Sequence, residues 1–448
     1  MALRERLFLV MVALLPLHTV YLNAWVSWKP YLIIVGVLGA WDLIDGFRCR
    51  VWPWHTRASL AVLLLLAAMA IGFPAPEFRE RFVRLFFALV VGALVMLVTA
   101  RSLRRPAMMD SVLRMVFWSA AAMGITAVLI SLVLVGVAGN TPINYLTGAA
   151  GFDLPLIDKV GKPAYLLSNF LALSNWHQDP GYGAAWSVLW SSLVMVGSAR
   201  GLGSKRPWLD GAVLGGLWLA VVMAFARTGW LSLLLATVAA GWMLVRQRLI
   251  TPRRLAVQLA AAVTATVVLL GMLIAADVAD VGGDLDVQFA FRFRQGWDLL
   301  ADVTGLFENS EAFEDVFDES EQRADVWPEY WEMFKSDPVT GVGLGVGWET
   351  NTVGQEPHSL WLQLAAESGI IGIAAFLVLM VAIISSGGGV VGAIALLTSL
   401  LPSITQTVLF EPTWWFAAGL LLGGKAGLGP GPPLESPRLG AGIRSTGQ

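Results

Sequence analysis

The chain has 448 residues, of which 56% are hydrophobic and only 14% are charged, and its formal net charge is −2. This composition excludes an ordinary water-soluble globular protein, and the lack of a basic excess argues against nucleic acid as a partner. It predicts an all-α integral membrane protein that crosses the bilayer many times.

Twelve apolar runs have roughly the length that a membrane-spanning helix needs, about 20 residues. The predicted spans cover residues 7–26, 31–47, 58–73, 83–100, 112–138, 181–198, 210–226, 229–245, 255–276, 359–384, 388–402 and 405–423. The first run follows Arg4 and Arg6 and so resembles a signal peptide, but no small-residue cleavage site follows it. We therefore expect it to be retained as a span.

The orientation follows from the basic residues, which favour the cytoplasmic side of short loops. Every second connection carries them: Arg48, Arg50 and Arg57; Arg101, Arg104 and Arg105; Arg200, Lys205 and Arg206; Arg246, Arg248, Arg253 and Arg254. The pattern predicts a membrane domain over residues 1–423 with both termini in the cytoplasm, and a disordered cytoplasmic tail over residues 424–448.

The longest predicted outer loop, at about residues 277–357, is strongly acidic. A solvated face is the usual meaning of such a run, and binding of divalent cations or repulsion of acidic glycans stay open as alternatives. The only cysteine, Cys49, excludes an intramolecular disulfide, and the four histidines lack zinc-ligand spacing, so no metal is expected.

His358 is the most informative residue of the chain because it stands at the start of an apolar run in which titratable groups are scarce. Pro357 suits the first turn of a helix, so we expect His358 in that turn, where the helix dipole disfavours imidazolium. A neutral imidazole at the membrane surface can accept a proton. The alternative is a polar residue that only marks the end of a span.

Two arginines on the predicted outer side are candidates for binding an anion. Arg227 separates two apolar runs of about 16 residues, each about 24 Å long as a helix, so it is expected below the outer surface. An arginine at that depth costs several kcal/mol unless it is paired or hydrated, and an anionic ligand would offset this cost. The alternatives are a snorkelling side chain for Arg227 and pairing of Arg323 with neighbouring acids.

Three further residues are candidates for supporting roles. His177 and Asp179 stand just before the sixth predicted span, where they either orient each other or belong to an ordinary turn. Glu367 and Gln363 are one helical turn apart, and we expect this pair to form a buried helix-to-helix hydrogen bond. Nine residues from His358, Glu367 should lie on the opposite face and about 13 Å deeper.

The segment between Arg323 and His358 predicts an amphipathic helix followed by a tight loop. Aromatic residues at 330, 331 and 334 after Pro328 favour a helix at the membrane interface, which Asp337 and Pro338 should end. The glycines at 341, 343, 345 and 347 should bring the backbone close to another segment. Such a glycine string is only weak evidence of a phosphate site.

Over about residues 175–385 the chain resembles the O-antigen ligase and polymerase superfamily of integral membrane glycosyltransferases. The resemblance rests on residues 226–231 (Ala-Arg-Thr-Gly-Trp-Leu), on Arg323 with 327–334 (Trp-Pro-Glu-Tyr-Trp-Glu-Met-Phe), on 337–345, and on 357–372, which begins Pro-His-Ser-Leu-Trp. It implies about a dozen spans with a large extracytoplasmic loop, here between spans 9 and 10.

The resemblance also implies a reaction, the transfer of a glycan from undecaprenyl diphosphate to an acceptor on the outer side of the cytoplasmic membrane. Arg227 and Arg323 would then bind the donor diphosphate, and His358 would take the proton of the attacking hydroxyl. Attack opposite the leaving group would invert the anomeric centre, without a metal or other cofactor. The oligomeric state is not predicted.

Two alternatives stay open. A polymerase would perform the same chemistry with a second lipid-linked glycan as the acceptor. A transporter or flippase for lipid-linked sugars would use the arginines to line a route across the bilayer, although the polar candidates concentrate on the outer side.

Overall fold

The computed structural model describes residues 2–16, 22–23, 27–28, 30–73, 76–136, 180–204, 206–223, 227–279, 326–352, 354, 356–386, 389–401 and 407–424. In chain order the helices are α1 (Leu3–Leu14), α2 (Pro30–Cys49), α3 (Thr56–Ile71), α4 (Arg79–Ser102), α5 (Pro106–Gly136), α6 (Pro180–Ala199), α7 (Pro207–Met223), α8 (Arg227–Arg246), α9 (Pro252–Ala279), α10 (326–336), α11 (Val346–Thr350), α12 (Leu360–Ser385), α13 (Val390–Leu400) and α14 (Pro412–Gly423). Short 3₁₀ turns cover Pro76–Phe78 and Val408–Phe410.

The described part is a helix bundle with the length and composition of a multi-pass membrane protein. Five helices are long and apolar enough to cross a membrane, namely α4, α5, α8, α9 and α12, and four shorter helices, α3, α6, α7 and α13, are also apolar. The all-helical prediction is confirmed apart from one two-residue ladder, whereas the number of twelve spans stays a prediction.

The predicted first span over residues 7–26 is wrong. Helix α1 begins earlier and ends at Leu14, and Leu22–Asn23 pairs in an antiparallel ladder with Ser27–Trp28. The 12 residues of α1 extend about 18 Å, less than the hydrocarbon thickness of about 30 Å. Pro16 explains the early end, because it has no N–H to continue the helical hydrogen bonds.

One end of the bundle is held together by ion pairs and is called the basic end here. Asp42 is fully buried and lies 2.7 Å from Nε of Arg4 and 3.3 Å from Nε of Arg101. Arg200 pairs with Asp110 at 2.8 Å. These contacts join the N-termini of α1 and α5 to the C-termini of α2, α4 and α6.

The opposite end, called the His358 end, is built around close backbone contacts of the glycine loop. A Cβ on Gly343 would lie 2.5 Å from the carbonyl oxygen of Gly72, just after α3, and one on Gly345 would lie 3.0 Å from Cγ of Arg81 in the first turn of α4. The prediction that these glycines bring the backbone close to another segment is confirmed.

Helix α12 is broken at Gly369, whose φ of 61° and ψ of −162° are not helical. Segment 338–343 fills the break with backbone hydrogen bonds of 2.9–3.3 Å: Val342 N–H to Ala366 O, Gly343 N–H to Glu367 O, Ile370 N–H to Pro338 O and Ile371 N–H to Val339 O. The groups that the break frees are thereby paired, as the membrane interior requires.

Helix α10 packs against the first half of α12. Tyr330 is fully buried with Val326 and Ala366, whereas Trp327 and Trp331 are 46% and 50% exposed. The helix ends at Ser336, before Asp337, as predicted. Its start is not as predicted, because residues 326 and 327 are already helical; proline is tolerated in a first turn, so Pro328 need not begin the helix.

Candidate active site

His358 lies just before α12 and not in its first turn, so the predicted placement is wrong. Ser359 is the extended N-cap residue with φ −141° and ψ 116°, and His358 adopts a left-handed conformation with φ 47°. Ser359 makes no side-chain capping hydrogen bond, and histidine is one of the few residues that visit the left-handed region. Helix α12 and its dipole begin two residues beyond His358.

Trp327 of α10 fixes the turn that carries His358. Its indole N–H donates to the carbonyl of the buried Pro357, with an N···O distance of 2.7 Å. Nδ1 of His358 is itself shielded from solvent, although the residue as a whole is half-buried. The histidine is therefore presented on a turn that α10 holds in place.

Arg81, which the sequence did not single out, lies beside this turn. Its guanidinium is 3.6 Å from the Glu356 carboxylate and 3.9 Å from that of Glu349, and Cζ is 3.5 Å from the ring centroid of Trp348. The side chain is 23% exposed. Since Glu356 precedes His358 by two residues, Arg81 connects α4 to the histidine turn.

The guanidinium of Arg81 has N–H donors that are available to a ligand. Both carboxylates lie beyond hydrogen-bond distance, and its Nε is buried with no acceptor among the residues that the structure describes. Buried donors without acceptors destabilise a protein, and oxygens of water or of a bound ligand would satisfy them. Arg81 is thus suited to contact an oxygen-rich ligand beside His358.

A signal for Arg81 does exist in the sequence. Arg79, Arg81 and Arg84 start a helix on the predicted outer side, where the distribution of basic residues leads one to expect few of them. Three arginines in that position are an exception to the pattern that defines the orientation, and such exceptions are candidates for function.

Glu367 is hydrogen-bonded to Gln363 within α12, whereas a helix-to-helix bond was expected of this pair. Nε2 of Gln363 donates to its carboxylate at 3.0 Å, and both side chains are almost fully buried. The backbone carbonyl of Glu367 accepts from Gly343 in the glycine loop. Glu367 therefore lies at the break of α12, behind the histidine turn, where it can support the site only indirectly.

Tyr330 adds a neutral group to this end of the bundle. Burial raises the pKa of its phenol well above the ordinary value, and the nearby carboxylates of Glu367 and Glu356 raise that pKa further. Its ring lies against Gly347, where an added Cβ would come within 2.6 Å of it. The phenol keeps its proton throughout the physiological range.

Arg227 is the first residue of α8, and its side chain lies outside what the structure describes. Three residues further along α8, the indole N–H of Trp230 donates to the Val221 carbonyl of α7 at 3.2 Å. The far part of α8 packs near the basic end, where Gly241 faces Leu255 at the start of α9. Arg227 therefore begins α8 at the His358 end.

Three predicted site residues, Arg323, His177 and Asp179, fall outside the described residues, so their placement stays a prediction. Within the described ranges, no group of three or more His, Cys, Asp or Glu side chains is placed to hold a metal ion.

The fold and these contacts define a multi-pass membrane protein with a cluster of charged and aromatic side chains at one end of its helix bundle. Residues 212–377 match the protein family described as O-antigen ligase. The resemblance stated from the sequence is thereby confirmed over this segment, which points to a membrane glycosyltransferase-like enzyme acting in polysaccharide biosynthesis. A comparison with curated proteins found no match.

The matched segment includes four of the predicted site residues, Arg227, Arg323, His358 and Glu367. His177 and Asp179 lie before it, and so does Arg81. The contacts of Arg81 with Glu349, Glu356 and Trp348 thus join an earlier helix to the family segment.

Proposed function

We propose that the protein is an inverting, metal-independent glycosyltransferase of the O-antigen ligase type. It moves a glycan from a polyprenyl diphosphate carrier to an acceptor on the outer side of the cytoplasmic membrane. The observation that carries the proposal is that one segment matches the O-antigen ligase family and presents His358 at the end of the bundle opposite the basic loops.

The side of the membrane follows from charge. Loops rich in arginine favour the cytoplasm, so the basic end, with Arg101 and Arg200, faces inward. His358 and the start of α8 then face outward, and both chain termini lie inside. A lipid-linked glycan in the outer leaflet would present its diphosphate at this level.

The reaction joins the acceptor hydroxyl oxygen to the anomeric carbon of the donor sugar while the bond from that carbon to the diphosphate breaks. His358 accepts the hydroxyl proton, a contribution that typically amounts to about 10² to 10⁴ in rate. The carrier diphosphate leaves with the electron pair of the broken bond. Because the attack comes from the opposite face, the anomeric configuration inverts.

The developing charge on the diphosphate needs cations, and arginines can supply them without a metal. A guanidinium binds phosphate oxygens in a bidentate manner and is always charged. We assign this role to Arg227 and Arg323. Arg323 is only three residues ahead of Val326, the first described residue of α10. Helix α10 in turn holds the His358 turn through the hydrogen bond of Trp327.

The proposal is tested with single alanine substitutions of Arg227, Arg323 and His358 in the full-length protein in vesicles, with Arg253→Ala at the basic end as the matched control. Transfer from a lipid-linked donor is measured. We expect His358→Ala to lower kcat with little effect on donor binding, and both arginine variants to weaken donor binding as well. Undiminished transfer in all three variants contradicts the mechanism.

The same assay distinguishes the acceptors. A single transferred glycan supports a ligase, whereas a ladder of products supports a polymerase that uses a second lipid-linked glycan. Movement of labelled carrier across the bilayer without a new glycosidic bond would instead support a transporter.

A further inference from the structure

A large apolar groove lies between α5, α7 and the loop that joins α6 to α7, and none of the residues assigned to transfer is among its described lining. Its volume is about 820 Å³, and its lining includes Trp118, Ile125 and Leu129 of α5 and Leu269 of α9. Trp118, Ile125 and Leu129 are 68%, 61% and 56% exposed. The wall of the groove is therefore apolar and open to the surroundings of the bundle.

The floor of the groove exists because two glycines let α5 and α7 approach. A Cβ on Gly124 would lie 3.1 Å from Cα of Gly216, so larger residues would push the helices apart. The lining runs along α5 from Arg114 to Leu129, a rise of about 22 Å at 1.5 Å per residue. This length covers much of the hydrocarbon thickness of about 30 Å.

Arg114 stands at the end of the groove that is nearer the basic end. It is exposed, and no described carboxylate lies within ion-pair distance of it. One turn earlier on α5, Asp110 is already paired with Arg200 at 2.8 Å. The acid nearest the groove loop, Asp210, is buried and accepts hydrogen bonds from the Ser198 hydroxyl and the Ser204 N–H.

We propose that this groove binds an anionic phospholipid from the leaflet at the basic end, with its phosphate on Arg114 and an acyl chain along Trp118, Ile125 and Leu129. The apolar lining and its length match an acyl chain. The cation at its mouth favours an acidic headgroup, and basic residues near the membrane surface each contribute about 1 kcal/mol to such binding. The proposal does not depend on the transfer reaction.

The test uses the full-length wild type and its variants, each purified from nanodiscs that contain equal amounts of phosphatidylglycerol and phosphatidylcholine. Native mass spectrometry counts the lipid that each protein retains. Wild type should retain phosphatidylglycerol in preference. Arg114→Gln should lower the retained phosphatidylglycerol about fivefold, the equivalent of about 1 kcal/mol. Arg253→Gln, which removes an exposed arginine of the same end outside the groove lining, should not.

A second variant tests the apolar part of the site. Ala121 lines the groove between Trp118 and Ile125, so Ala121→Phe should displace the lipid, whereas Val238→Phe on the exposed face of α8 should not. Three outcomes would each overturn the proposal. The wild type could retain the two phospholipids equally, Arg114→Gln could leave the retained phosphatidylglycerol unchanged, or a polyprenyl lipid could be recovered in place of the phospholipid.

Discussion

Trp327 and Pro357 are joined by a hydrogen bond of 2.7 Å from the indole N–H to the proline carbonyl. The bond links helix α10 to the residue directly before His358. Because Pro357 is buried, its carbonyl has little access to water once the indole is removed. The position of the proposed general base therefore depends on the side chain of Trp327, which is bonded to a residue thirty positions later, directly before His358.

We expect Trp327→Phe to lower the free energy of unfolding by about 1–3 kcal/mol, the usual effect of leaving a buried acceptor unsatisfied. Transfer should fall more in kcat than in KM, since the histidine turn is loosened. Trp331→Phe is the control, because Trp331 is half exposed and its ring lies tilted beside that of Phe334, with 5.2 Å between the ring centroids. Equal effects of the two variants would contradict the assigned role of Trp327.

Gly369→Ala should disrupt the joint in α12. The φ of 61° disfavours any side chain, and a Cβ there would lie 2.4 Å from the carbonyl oxygen of Val339. We expect a loss of about 2 kcal/mol or more in thermal unfolding of the detergent-solubilised protein. Gly271→Ala, in helix α9 with open space around its Cβ, should be neutral or stabilising by up to about 1 kcal/mol.

The buried Tyr330 should make the folded protein less stable in alkaline solution. Burial raises the pKa of Tyr330 in the folded state, whereas the unfolded phenol titrates near pH 10. Its contribution is therefore fully present below pH 10 and is lost as the pH rises further. Tyr330→Phe should weaken this dependence in unfolding experiments between pH 9 and 11, and an unchanged pH profile would contradict it.

Arg81→Gln should reduce transfer about tenfold, because it removes donors from the proposed site and the positive charge that lies 3.6 Å from Glu356, two residues before His358. Arg84→Gln is the matched control, since Arg84 is 61% exposed and, within the described ranges, pairs with Glu80 of its own helix. The kinetic constants and the thermal stability of both variants are compared. A drop in stability without a change in transfer would assign Arg81 a purely structural role.

Asp42→Asn should destabilise the basic end. Asp42 is fully buried between Arg4 and Arg101, and breaking a buried ion pair typically costs about 3–5 kcal/mol. Asp45→Asn, at a side chain that is 37% exposed, should have a much smaller effect. Because both substitutions lie far from His358, transfer per folded molecule should stay unchanged.

The sequence predicted those features that arise from local chemistry. Apolar runs predicted the helices. Asp337 and Pro338 predicted the end of α10, and the spacing of Gln363 and Glu367 predicted that the two side chains pair. Each of these depends on residues within a turn or two of one another.

Features that depend on distant parts of the chain were missed or misplaced. Nothing near Gly369 indicates that α12 is broken there, because segment 338–343 supplies the compensating hydrogen bonds. The approach of Arg81 to Glu356 joins residues far apart in sequence. For His358, the preference of Pro357 for a first turn was not followed, because α12 begins only after the extended Ser359, which makes no side-chain capping hydrogen bond.

The joint in α12 has a consequence for how the sequence can vary. Its four bonds use main-chain atoms on both sides, so most side chains of segment 338–343 are free to change while the joint survives. Gly341 and Gly343 are the exceptions, since a methyl group would collide with the Glu367 backbone at 2.4 Å in the first case and with the Gly72 carbonyl oxygen at 2.5 Å in the second. Shortening or lengthening the stretch between this segment and Gly369 would shift all four pairings at once, so insertions should be far less tolerated than substitutions.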